Sequence, residues 1–372
     1  MANHTNTIAL FTQSMTGGGA ERVVANLAQS LVQRGLPVHL LLARAHGQML
    51  VDLPPELRIV DFGQNHVICT LPYLLSYVRT ERPGILISFL THANLVALWA
   101  VHLSHTQTKV IISDHIVISR HAEATPGVKE YLLPRLAHIF YRRANAILAV
   151  SQGVADDLVN NIGVPRNKTH VIYNPIVTPA LLEKMQVVPS HPWFVPGTPP
   201  VVLAVGRLTA QKDYPALLRA FARARQEREM HLLILGEGEK RFELESAVRS
   251  LGLENDVQMP GFVSNPYMYM ARASVFVLSS AWEGFSNVIA EALICGTPVV
   301  STDCPSGPAE ILKNGKYGKL VPVGDSETMA RAILATLDSI PDRRLLQQRA
   351  QAFNLETVTS QYIDLFESLS GE

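Results

Sequence analysis

Short apolar runs alternate with helix-period segments along most of the chain. TIALF (Thr7 to Phe11) predicts a buried strand. A glycine-rich turn follows. Then comes AERVVANLAQSLVQRG, in which Val23, Val24, Leu27, Leu31 and Val32 share one helical face. Gly35 closes that helix, and PVHLLLA predicts the next strand. GILISF (Gly84 to Phe89), KVIIS (Lys109 to Ser113), AILAV (Ala146 to Val150) and HVIY (His170 to Tyr173) repeat the strand pattern, mostly with helical periods between them. Strands apolar on both faces and separated by helices imply a parallel sheet covered on both sides.

The pattern breaks after Asn174. Residues 174–200 hold seven prolines, which suit neither a central strand nor a helix interior. The alternation then restarts with PVVLAVG (Pro200 to Gly206), HLLILG (His231 to Gly236), SVFVLS (Ser274 to Ser279), TPVVST (Thr297 to Thr302) and KLVPV (Lys319 to Val323). The fold class is α/β, with two tandem Rossmann-like domains and a cleft between them. The first spans 1–178, a linker spans 179–199, and the second spans 200–354. Ligands of open α/β sheets sit beyond the carboxyl ends of the strands, so chemistry is sought there.

Composition narrows the function. The 32 Lys+Arg balance 32 Asp+Glu, which excludes a general nucleic-acid binder. The balance is uneven, with 14 basic and 10 acidic side chains in residues 1–178 and 18 and 22 in the remainder. The two halves should therefore face different partners. Three cysteines, Cys69, Cys295 and Cys304, form no C-x-x-C pair, which argues against a disulfide framework or a zinc site. Reduced thiols fit a cytoplasmic setting. The opening MANHTNTIALFTQSM lacks the basic start and long apolar run of a secretory leader. No run approaches the roughly 20 apolar residues of a transmembrane helix.

Several strand ends carry candidate chemistry. After the first strand, Gly17, Gly18 and Gly19 let the backbone approach a ligand at a helix N-terminus, or simply make a tight turn. Counting from Gly17, a dinucleotide fingerprint would need glycine where Arg22 stands, which disfavours an NAD-dependent oxidoreductase. A Walker lysine is absent as well. His92 and Asn94 follow GILISF, and Asp114-His115 follows KVIIS. Gly206, Arg207 and Lys212 follow PVVLAVG, and two cations there suit a diphosphate. Gly236 ends HLLILG.

In WEGFSNVIAEALICGTPVV, Glu283 precedes a helix that Ser286 or Asn287 can cap. Glu291 lies about one turn into it, among apolar neighbours that argue against exposure. Carboxylates accept vicinal hydroxyls well. Glu291 thus suits a ribose and Glu283 a sugar, with the amides of Gly284, Phe285 and Ser286 facing phosphates. Base-reading contacts would come from backbone around Val257 to Phe262, where side chains say little.

These residues together resemble a known family. SSAWEGFSNVIAEALICGTPVVSTDCPSGPAEIL followed by YGKLVPVGD resembles the retaining GT-B glycosyltransferases with an E-x(7)-E signature, matched here by Glu283 and Glu291. VGRLTAQKD, GGGAERV, ISDHI and VIYNPI resemble further blocks of that family, in the same order. The resemblance implies an N-terminal acceptor domain and a C-terminal nucleotide-sugar domain. It also implies a last helix, within 355–372, that packs back on the first domain. It further implies a UDP-sugar donor, a glycan or lipid-linked glycan acceptor and no required metal. In the mechanism it implies, Arg207 and Lys212 stabilise the leaving diphosphate, Glu283 positions the sugar and Glu291 anchors the ribose. Gly17 to Gly19 and His115 close over the diphosphate and sugar, and His92 and Asn94 face the acceptor. A phosphorylase or epimerase on the same fold, or a non-catalytic nucleotide-sugar-binding subunit, are the alternatives.

VKEYLLPRLAHIFYRRANA (Val128 to Ala146) mixes large apolar residues with Lys129, Arg135, His138, Arg142 and Arg143. It reads either as a core helix with solvated cations or as a basic face for peripheral contact with an anionic inner membrane.

Overall fold

The computed structural model describes residues 7–124 and 127–370. Its chain divides into two compact units, one formed by residues 1–176 with 355–372 and the other by residues 177–354.

Unit 1 is built on seven parallel strands: β1 Ile8–Thr12, β2 Val38–Leu42, β3 Arg58–Asp61, β4 Ile85–Phe89, β5 Lys109–Asp114, β6 Ala146–Ala149 and β7 Thr169–Val171. Their order is β3-β2-β1-β4-β5-β6-β7, so the winding reverses between β1 and β4. Register is set by apolar partners such as Leu10 with Leu40 on one side and Ile87 on the other. The helix Gly19–Gln33 buries Val24, Leu27 and Leu31 against this sheet. The helix Leu355–Ser370 adds Val358, Tyr362 and Phe366 to the same core. Arg34 clasps Glu356 of that helix at 2.8 Å. The final two residues of the segment expected over 355–372 lie outside the described residues.

Unit 2 repeats the plan with six parallel strands: β8 Val201–Val205, β9 His231–Leu235, β10 Val257–Gly261, β11 Val275–Leu278, β12 Val299–Thr302 and β13 Lys319–Val321. The order β10-β9-β8-β11-β12-β13 reverses between β8 and β11. Val202, Leu232, Ile234, Val277 and Val300 line the sheet side of its core, with Leu217, Phe221 and Ile333 from helices.

The proline-rich segment is no free linker. Pro179 opens a helix, Pro179–Lys184, where its missing N–H costs nothing, and Thr178 caps it. Asn265 and Arg272 hold the carbonyls of Lys184 and Met185 at 2.9 and 3.0 Å. Trp193 stacks on His231 at 4.2 Å. From Pro179 on, the prolines of this segment shape a strap on unit 2, outside its strands and helix interiors.

Candidate active site

The site in unit 2 begins where β8 and β9 end. A Cβ on Gly236 would lie 1.9 Å from the Gly206 carbonyl oxygen, so these strand ends meet backbone to backbone. A short turn, Ala210–Lys212, leads to Asp213, whose carboxylate accepts the Ala216 amide and starts the helix Tyr214–Glu227. Gln211 then docks the turn on the loop after β11. Its side chain donates to the Trp282 carbonyl at 2.9 Å, and its carbonyl accepts the Ala281 amide at 2.8 Å.

Lys212 Nζ lies 2.6 Å from Glu283 Oε1, and the two side chains are only 16% and 8% exposed. Ser280 Oγ donates to the same carboxylate oxygen at 2.6 Å. Arg207 is exposed and holds no ion pair among the described residues. One cation is thus committed and the other is open. Tyr214 and Cys304 lie within electrostatic reach of Glu283. Burial, and then the nearby carboxylate, push the Tyr214 phenol above its usual value and the Cys304 thiol up to about 12. Burial likewise raises Cys295 to about 12, with Glu291 adding to it. Both thiols stay protonated and unreactive at neutral pH.

The loop from Trp282 to Ser286 is braced from the β12 side. Ser306 Oγ donates to the Gly284 carbonyl at 2.7 Å. A Cβ on Gly307, where φ is +87°, would meet the Phe285 carbonyl at 2.3 Å. Phe285 is buried against Phe353, ring centroids 5.2 Å apart. Ser286 stands at the N-cap of the helix Asn287–Ile294, but its side chain does not cap it. Ser286 is left-handed at φ +76°. Its buried hydroxyl has no partner among the described residues, nor has that of Thr209 in the β8 turn. Asn287 opens the helix half-buried. Glu291 is 3% exposed and accepts from Tyr267 Oη at 3.4 Å. Phe262, just past β10, is exposed.

Unit 1 carries the other candidates. Gly17 takes φ +118°, Gly18 is the N-cap and Gly19 opens the helix. The amides of Gly17 and Gly18 donate to Glu21 Oε2 at 2.8 and 2.7 Å, and Ser14 Oγ donates to Glu21 Oε1 at 2.8 Å. The donors that the sequence offers to a diphosphate thus already hold a carboxylate from their own helix.

His115 follows β5, partly buried, with Nε2 3.2 Å from Ser113 Oγ and its ring 6.0 Å from Phe89. Burial lowers it to about 4, so it is neutral at pH 7. Asp114 beside it is fully buried. Thr91 donates to its Oδ1 at 2.8 Å, while Oδ2 has no partner among the described residues. Burial raises Asp114 to about 7, opposed in part by the Thr91 hydrogen bond and the nearby polar groups of Tyr141 and Asn94.

The acceptor role expected for Asn94 needs correction. Asn94 is fully buried and accepts from Ser88 at 2.7 Å. Its amide donates to the Ser113 carbonyl at 3.1 Å and to Tyr141 Oη at 3.3 Å. Every polar atom is spent inside the unit, so it cannot meet an acceptor. His92, two residues earlier, is exposed.

The helix Val128–Phe140 settles into unit 1 through Leu133 and Ala137. Val128, Tyr131, Leu132 and Ile139 are exposed, beside the exposed Arg135, Arg142 and Arg143. No helix among the described residues is long and apolar enough to cross a membrane.

Residue-type reasoning singled out the acids and cations but not Ser280, Ser306 or Glu21. The serines carry no charge signal, and only the doublet Ser279-Ser280 at a strand end marks them.

Comparison with known proteins bears on the whole chain. The family model of glycosyl transferases group 1 matches residues 191–353, and that of glycosyltransferase family 4 matches residues 17–178. The N-acetylgalactosamine-N,N'-diacetylbacillosaminyl-diphospho-undecaprenol 4-alpha-N-acetylgalactosaminyltransferase of Campylobacter jejuni is 31% identical, over 92% of this chain and 93% of that protein. The lipopolysaccharide core biosynthesis glycosyltransferase LpsE of Rhizobium meliloti is 27% identical, over 94% and 96%. Among solved structures, Anabaena HepE in complex with UDP and glucose superposes with TM-score 0.79 at 22% identity, over 97% and 99% of the two chains. Sucrose-phosphate synthase from Thermosynechococcus elongatus gives TM-score 0.80 at 19% identity, over 98% and 99%.

Proposed function

The chain belongs to the GT-B glycosyltransferases that join a family 4 half to a group 1 half, and from that premise we propose its reaction. It moves a hexose or N-acetylhexosamine from a UDP-sugar to a glycan or lipid-linked glycan, with retention and without a metal. Two relatives support the donor and acceptor classes. HepE was solved with UDP and glucose, and the Campylobacter enzyme is named for an N-acetylgalactosaminyl group and a diphospho-undecaprenol acceptor.

Within the molecule, the reading is carried by the Lys212–Glu283 pair beside an exposed Arg207. Lys212 and Arg207 take the charge that grows on the leaving diphosphate. Glu283 aligns the sugar, and the amides of Gly284, Phe285 and Ser286 meet phosphate oxygens. The unspent hydroxyls of Thr209 and Ser286 suit the same ligand. Glu291 holds the ribose, and Gly236 and Phe262 lie toward the base. No side chain is offered as a covalent nucleophile. The acceptor hydroxyl attacks the face from which the diphosphate leaves, and its proton passes to that phosphate. Each charge-assisted hydrogen bond contributes about 1.5–3 kcal/mol. In unit 1, neutral His115 serves as a sugar contact and His92 as an acceptor contact. The exposed basic and apolar face of Val128–Phe140 rests on an anionic membrane surface at the cytoplasmic side.

Calorimetry with UDP, GDP and NAD on wild type and Glu291→Ala tests the donor site. UDP binding that weakens at least about ten-fold in the variant, the worth of one such hydrogen bond, is expected. Equal UDP binding by the two proteins refutes the ribose role. An inverted anomeric product refutes retention, and UDP binding without any glycoside formed indicates a binding subunit.

A further inference from the structure

Two consecutive serines follow β11, and both are spent on the ion pair. Ser279 Oγ donates to the Lys212 carbonyl at 2.7 Å, and Ser280 Oγ donates to Glu283 Oε1 at 2.6 Å. They are 2% and 0% exposed. Thr302, ending β12, donates to the Ser280 carbonyl at 2.6 Å and so ties the doublet to the neighbouring strand. Successive residues of an extended chain point to opposite sides. One serine therefore reaches the turn that carries the cation, and the other reaches the acid.

Glu283 Oε1 takes two donors, Lys212 Nζ and Ser280 Oγ, both at 2.6 Å. They differ in what else they attract. An arriving diphosphate competes with Glu283 for the ammonium, because charge-assisted bonds to phosphate are strong and Lys rotates freely. It competes far less for a buried neutral hydroxyl. Tyr214 and Cys304, within electrostatic reach of Glu283, are held neutral by burial and bring no charge to replace the lysine.

We propose that Ser280 is a positioning residue that keeps Glu283 aimed while Lys212 turns to the leaving phosphate, with Ser279 holding the Lys212 backbone. The turning of Lys212 rests on the UDP-sugar reading, whereas the hold of Ser280 on Glu283 does not. Oxygen Oε2 of Glu283 is thereby left for the sugar.

The test is a double-mutant cycle on the full chain with Ser280→Ala, Glu283→Ala and the pair. It is read twice: by melting temperature without nucleotide, and by UDP release from a panel of UDP-sugars. Alanine is smaller than serine, and the Ser280 backbone contact to Thr302 survives, so the variant is expected to fold. Ser280→Ala should lower kcat about ten-fold while KM for the donor stays within about two-fold, the signature of an interaction felt mainly in the transition state. On the Glu283→Ala background the same change should cost less than about two-fold, in both readouts a clear departure from additivity. Additive melting shifts overturn the hold on Glu283. An equal loss of kcat on both backgrounds, or an unchanged kcat, overturns the positioning role. A wild type that turns over no UDP-sugar sinks the donor reading and the turning of Lys212, while the melting cycle still decides whether Ser280 holds Glu283.

Discussion

At the carboxyl end of β11 the protein keeps a full charge pair, Lys212 with Glu283, whereas at the carboxyl ends of β4 and β5 it keeps no ion pair among the described residues, only a neutral His115 beside Asp114, a carboxyl that burial raises to about 7. Both places lie beside the reversal of strand order in their own sheet. The difference is in how polar atoms are satisfied. In unit 2, hydroxyls and backbone hold two opposite charges that are mostly buried. In unit 1, Ser88, Thr91, Asn94 and Tyr141 pack Asp114 into the interior, and His115 stays uncharged. One winding pattern thus supports a charge pair in one unit and a buried, titrating carboxyl beside a neutral imidazole in the other. The phosphate chemistry proposed for this glycosyltransferase belongs with the first.

The largest effects should come from splitting the charged site. Removing Lys212 leaves a nearly buried Glu283 uncompensated, a costly state. Lys212→Met should therefore lower UDP-sugar turnover by about two to three orders of magnitude, the scale of one lost oxyanion-type contact, and melt several degrees lower as well. Arg207→Met should cost turnover by about two orders of magnitude and leave the melting temperature alone, because an exposed cation without a partner leaves nothing stranded. Steady-state kinetics and thermal melting of the two variants, side by side, decide this. Equal melting losses would mean that the ion pair does not organise the turn.

How much of this contrast the residues announce depends on the kind of signal. The central strands of both sheets are continuous apolar runs, such as Ile8–Thr12 and His231–Leu235, and they are legible as such. The edge strands Arg58–Asp61 and Val257–Gly261 escape that pattern, because one side of each meets solvent and polar residues interrupt them. The glycine turn, the cations and the acids announce themselves by type and by their place after strands. Their partners do not. Nothing in GGGAER says that Glu21 turns back on the amides of Gly17 and Gly18, and Asn94 looks like a site residue only until its burial is known. Pairing across distant segments is a tertiary fact, and periodicity carries no record of it.

A smaller effect sharpens the unit 1 side of the comparison. Burial raises Asp114 to about 7 from an ordinary value of 3.8, so between those values the folded state binds the proton more tightly than the unfolded chain. Its contribution to stability is full below about pH 4 and is lost as pH rises through 7. His115, lowered to about 4, acts the other way. Its contribution is present above about 6.5 and is lost as pH falls toward 4. Asp114→Asn removes the first dependence only. The variant should match wild type near pH 4 and gain on the order of 1–3 kcal/mol above pH 7. Melting curves from pH 4 to 8 give the difference, and a constant gap would show that the carboxyl does not titrate in this window.

The weakest expected effect tests whether the contrast extends to the outer surface of unit 1. Val128, at 77% exposure, Tyr131 and Ile139 stand on one helix with Arg135, whose guanidinium lies 4.8 Å over the Tyr131 ring. A solvated helix face gains nothing from large exposed side chains, whereas an anionic bilayer accepts both the apolar groups and the cations. One arginine near such a surface contributes about 1 kcal/mol. Arg135→Gln should therefore weaken co-sedimentation with vesicles rich in anionic lipid by about five-fold, and Ile139→Ser by a similar factor. Arg135→Gln should lose its effect at high salt, since the surface potential is screened, and Ile139→Ser should keep its own. If both variants sediment like wild type on anionic vesicles, this face is ordinary solvated surface, and the charge of the molecule does its work at Lys212 and Arg207 alone.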